Sequence, residues 1–183
     1  MLRDGLMASS KIRQQRGFTL IEVLISIVIL SIGLLGIAGM QATSMSNNHQ
    51  AFIKTQAANM AADMADRIRA NRDAAAAYAN FSTVEAPADP GCINAGCPGA
   101  QLAQYDLFQW SQPFVRALQP ALPGGRGFIS WVDNGAGQEV VTITIVWHEP
   151  NSDDFQNNQC LDANAPAINQ TADEACYQLS FRI

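Results

Sequence analysis

The sequence predicts an α+β chain: a long N-terminal α-helix, membrane-spanning in its first half, packed through its second half on a small antiparallel β-sheet. Three observations carry this. An unbroken apolar run fills residues 18–40, a one-sided apolar stripe prolongs it, and alternating β-branched segments occupy the C-terminal third.

Phe18 to Met40 reads FTLIEVLISIVILSIGLLGIAGM, with Glu22 its one ionisable side chain. At 1.5 Å per residue such a helix spans roughly 35 Å, enough to cross a hydrocarbon layer. It is apolar around its whole circumference, so no face suits water. Beyond Met40 the apolar positions narrow to Met45, Ile53, Ala57, Met60, Met64 and Ile68, mostly at three- and four-residue steps. Asp63 stands four residues before Arg67, a favourable helical pair. One helix from Phe18 to about Arg72 is predicted, with residues 41–72 its amphipathic continuation. Gly33, Gly36 and Gly39 interrupt the span. They let neighbouring helices approach closely, ready the segment to unwind, or are simply tolerated in a membrane helix.

Charge is unevenly spread. Residues 1–17 carry Arg3, Lys11, Arg13 and Arg16 against Asp4, whereas the rest of the chain carries 7 basic and 15 acidic residues. A basic start before the apolar run places that end on the cytoplasmic side and the head beyond the membrane. The acidic body excludes nucleic-acid binding, which needs clustered Lys and Arg.

The head is predicted within residues 73–183. Residues 74–100 read as a loop, rich in Pro and Gly after an alanine run. A second helix follows, patterned on Leu102, Tyr105 and Phe108 with Trp110 alongside, through Val115 and Leu118, with Pro113 as a kink. Strands are predicted at 127–132, 139–147 and 176–183. Asp133-Asn134-Gly135 is a hairpin-favouring turn after the first of these. Trp110, Trp131 and Trp147 are read as core residues.

Four cysteines, Cys92, Cys97, Cys160 and Cys176, lie beyond the apolar run. An even number there fits an oxidising compartment and two disulfides. Of three connectivities, Cys92–Cys97 with Cys160–Cys176 is preferred. A zinc site competes, but it usually shows two tight Cys/His pairs. Asp153, Asp154, Asp162, Asp173 and Glu174 could ligate calcium, although EF-hand spacing is absent. His49 and His148 converge with no nucleophile. No catalytic residue, metal site or cofactor is assigned.

The most specific motif is Arg16-Gly17-Phe18-Thr19-Leu20-Ile21-Glu22: a basic leader, a glycine, and an acid five residues into an apolar helix. A secretory signal would be cut behind an apolar core of only 7–15 residues. Here the glycine precedes a longer run, so cutting beside it leaves the run on the mature chain. A carboxylate in a membrane helix costs about 2–3 kcal/mol near the centre and less near the ends. Protonation near the surface would lower that cost, and so would a cationic partner.

The motif resembles the cleavage and methylation signal of the type IV pilin and pseudopilin family. The resemblance implies that a prepilin peptidase removes residues 1–17 between Gly17 and Phe18, and that Phe18 is then N-methylated. It also implies that Glu22 pairs with the Phe18 amine of a neighbouring subunit. Leu107-Phe108-Gln109-Trp110, Ala121-Leu122-Pro123-Gly124-Gly125 and Thr144-Ile145-Val146-Trp147 are similar to segments of minor pilins. The implied role is a non-enzymatic minor pilin that primes or modifies pilus assembly. Its implied partners are other minor pilins, the major pilin, the peptidase and the inner-membrane assembly platform. A type II secretion pseudopilin shares this N-terminal physics, and an anchored binding module that never polymerises is the alternative from another class. Many major pilins place a proline in the apolar helix, and here the three glycines stand instead.

Overall fold

The computed structural model describes residues 17–85, 87–115, 122–133, 139–150 and 173–183. Residues 1–16, Leu118, Cys160, Asp153, Asp154 and Asp162 lie outside the described residues. The chain divides into two compact units, Met1–Asn47 and Asn48–Ile183. One helix, α1 (Leu20–Ala70), contributes to both.

Every described side chain of the first unit is exposed. In the second unit, α1 buries Ile53, Ala57, Met60, Ala61, Met64, Ala65 and Ile68. Alanines at 57, 61 and 65 recur every four residues on this face and are fully buried. Met45, read from sequence as the start of this stripe, is 74% exposed. It lies eight residues before Ile53, which turns it about 80° around the helix, off the buried face.

The expected loop over 74–100 is more structured than its composition suggested. A 3-10 helix runs from Arg72 to Tyr78, and Asn80, with φ of 54°, turns the chain into β1 (Phe81–Ser82). A second 3-10 turn covers Thr83–Glu85, and α2 spans Cys92–Ala95. Burial explains the difference. Ala75 is 3% exposed and Tyr78 not at all, so this stretch is drawn onto the core by tertiary contacts that local propensity does not register.

Helix α3 (Gly99–Val115) contains Pro113 near its C-terminal end. Its existence agrees with the sequence reading, but its buried face does not. The buried residues are Ala103, Asp106, Leu107, Trp110 and Ser111, whereas Leu102 and Val115 are exposed. A three-residue apolar spacing is satisfied by two adjacent helix faces, and the small and polar residues mark the true one. Gly99 opens α3 against the 3-10 helix. A Cβ there would meet the Ala74 methyl at 2.9 Å, so the glycine permits the approach.

The sheet is an antiparallel meander in the order β1-β2-β3-β4, with β2 Arg126–Asp133, β3 Glu139–His148 and β4 Glu174–Arg182. Asp133 pairs with Glu139, and the predicted turn at Asn134-Gly135 lies outside the described residues. Val141, Ile143, Ile145 and Trp147, alternating along β3, are fully buried in one core with the α1 stripe, Tyr78, Leu107 and Trp110. Trp131 packs on that core only partly buried.

Candidate functional site

The N-terminal segment holds the residues singled out from sequence. Gly17, Phe18 and Thr19 lie outside the helix, all exposed. The Thr19 carbonyl accepts from the backbone N–H of Glu22 at 3.1 Å and of Val23 at 3.3 Å, which starts α1. The Gly17–Phe18 bond therefore sits in non-helical, accessible backbone just ahead of the first turn. Glu22 lies in that first turn, where a negative side chain complements the helix dipole. Its carboxylate makes no hydrogen bond or ion pair with another described residue.

Downstream, an 18-residue window of α1 has a mean hydropathy of 2.7 and none of it is buried. Its hydroxyls are satisfied internally: Ser26 donates to the Glu22 carbonyl and Ser31 to the Ile27 carbonyl, each at 2.7 Å. Bonding of this kind removes the cost of carrying a hydroxyl into hydrocarbon. Gly33, Gly36 and Gly39 lie within continuous helix, and a Cβ at any of them would meet nothing within 4 Å. The helix is unbroken at these glycines, and nothing in the described fold needs them small.

The head contributes a polar lock that the sequence reading missed. Arg67 donates to Asp63, to Asp106 and to Gln109, each at 3.0 Å. Tyr78 donates to the other Asp106 oxygen at 2.6 Å. Asn71 donates to the Tyr78 hydroxyl and to the Gly99 carbonyl. Burial first, and then the bond to Asp106, push the Tyr78 pKa well above the usual phenol value. Burial opposes the Arg67 charge, but Asp63 and Asp106 outweigh it and raise that pKa. Trp110 adds a bond from its indole N–H to the Met60 carbonyl of α1 at 2.9 Å. The available signal was an acid, Asp106, four residues before a tryptophan on one helix face.

Cys92 and Cys97 form a disulfide that closes α2. Cys176 is disulfide-bonded as well, and Cys160, its expected partner, lies outside the described residues. Among the described residues no group of three His, Cys, Asp or Glu side chains could hold a metal. Glu174, one of the calcium candidates, pairs with Arg126 across the sheet. His49 and His148 are both exposed, the first on α1 and the second at the end of β3.

An uncovered apolar helix, entered through an accessible glycine-phenylalanine bond and carrying a structural head, defines a membrane-anchored subunit. Residues 12–38 match the family described as Prokaryotic N-terminal methylation motif, and residues 39–108 match the one described as Type IV pilin Tt1218. Together these matches support a type IV pilin family, whose members are structural and serve membrane-associated pilus or pseudopilus assemblies. No curated protein and no solved structure matches it.

Proposed function

We propose that the chain is a minor pilin, similar to PilV, that primes or modifies type IV pilus assembly at the inner membrane or filament tip, with its head in the periplasm. A prepilin peptidase removes residues 1–17, and Phe18 becomes the methylated N-terminus. The observation that carries this is Glu22, without a partner among the described residues and one turn into a helix whose first half is uncovered. In lipid or in a helix bundle, a carboxylate so placed gains most from a cation brought by a second subunit. The free amine of a processed neighbour supplies that cation and sets the stagger between subunits.

The experiment has two parts. Mass spectrometry of the natural protein is expected to give a chain starting at methylated Phe18. Replacing Glu22 with alanine is expected to abolish incorporation into sheared filaments while membrane levels stay unchanged. A mature start near Gly39 would overturn the reading. Incorporation unaffected by the substitution would favour an anchored module that does not polymerise. Neighbouring genes for secretion-channel components, in place of minor pilin genes, would assign the same subunit to a type II secretion pseudopilus.

A further inference from the structure

Strand β4 ends the sheet, and among the described residues nothing pairs with its outer side. Which of its backbone groups face outward follows from the ladder. Ile183 donates to the Glu139 carbonyl at one end, and Glu149 donates to the Asp173 carbonyl at the other. Antiparallel pairs alternate between bonded and non-bonded positions. The odd residues of β4 therefore turn their N–H and C=O groups to β3, and the even residues turn theirs outward. Gln178, Ser180 and Arg182 present such groups at the open edge.

Within β4 itself the edge lacks the usual sequence protections. It has no proline, its register with β3 is unbroken over all nine residues, and no charge points inward. Tyr177, Leu179 and Phe181 pack on the core yet are only partly buried, and the Arg69 guanidinium lies 4.4 Å from the Phe181 ring centre. On the opposite face Gln178 bonds to Thr144 and Ser180 to Thr142, which holds the polar side chains flat across the sheet.

Residues 177–181 read aromatic, polar, leucine, polar, aromatic, the same in both directions. We propose that β4 pairs antiparallel with β4 of a second copy of this chain, about a two-fold axis at Leu179. Gln178 of each copy then exchanges both backbone bonds with Ser180 of the other. Leu179 meets its own counterpart, and Tyr177 meets Phe181 of the second copy at the closely spaced, non-bonded positions where cross-strand side chains interact most. The parity of the free backbone groups and the order of side chains specify the same register. Such a contact is closed and cannot propagate. Two copies held in one membrane need only a modest interface, because tethering raises their effective concentration.

The test uses the full chain in detergent micelles. Amide hydrogen exchange is followed at two widely separated protein concentrations. At the higher one the Gln178 and Ser180 amides are expected to slow by roughly tenfold or more, while the Leu179 amide, bonded to β3, stays unchanged. Ser180→Pro removes an outward donor from each copy without touching the β3 ladder, and sedimentation is expected to show self-association weakened by roughly tenfold. Ser180→Ala keeps the N–H and should self-associate like the wild type. The proposal is overturned if the Gln178 and Ser180 amides exchange at one rate at both concentrations, as pairing through α1 alone would give. It is equally overturned if a Ser180→Pro chain with a protected Leu179 amide sediments as the wild type does. Should that variant fail to fold, exchange in the wild type decides alone. No readout depends on filament formation, so this proposal and the proposed function stand or fall separately.

Discussion

Trp110 and Asp106 show how single residues hold the head together. The indole ring sits 5.3 Å from Phe114 and 6.3 Å from Phe81, centre to centre, and is tied to the Met60 carbonyl. It cannot easily move, and Gly127 of β2 lies directly against it. Gly127→Ala would drive a methyl into the ring, and a loss of about 1–3 kcal/mol is expected from denaturant midpoints. Asp106 accepts from both Arg67 and Tyr78 with its side chain mostly buried. Asp106→Ala strands both partners, at a cost of about 2–4 kcal/mol by the same measurement. The raised Tyr78 pKa sets a pH dependence. In the unfolded chain the phenol ionises near 10, whereas the folded chain keeps its proton above that pH. The stabilisation is fully present below about pH 10 and is lost as pH rises beyond it. Tyr78→Phe is expected to be less stable at neutral pH but to show a shallower alkaline decline.

At the scale of elements, sequence was informative where periodicity was long and burial one-sided. The α1 stripe from Ile53 to Ile68 and the alternation along β3 both appear in the residue order, because each repeats over many residues against a single partner surface. The face of α3 was not legible. Its buried side includes Asp106 and Ser111, polar residues that hydrophobicity places in solvent and that only a buried network admits. The 3-10 helix at Arg72–Tyr78 was missed because the Pro and Gly residues after it outweighed four alanines that favour a helix, and Tyr78 orders them by docking. Glu22 stands out in the sequence without any fold, since it is an acid isolated in an apolar run. Helix α2 depends on a covalent link. Replacing Cys92 and Cys97 with serine opens a short loop in the unfolded chain and is expected to lower stability by about 2 kcal/mol, read from thermal and denaturant unfolding.

For the molecule as a whole, the division between its two units has a mechanical meaning. The boundary falls at Asn47 and Asn48, inside a helix. From Gln41 to Phe52 no side chain is buried, and the stretch contains serine, asparagine and histidine, all middling helix formers. Its hydrogen bonds thus lack the packing that secures the turns from Ile53 onward. Under an axial pull, those dozen residues are the expected place of first yielding, and drawing them from helix to extended chain would lengthen the subunit by roughly 20 Å. Alanines in place of Asn47, Asn48 and His49 should raise the force at which that elongation begins in single-molecule stretching. Such a stretch would lengthen under load while the packed turns from Ile53 onward stay intact.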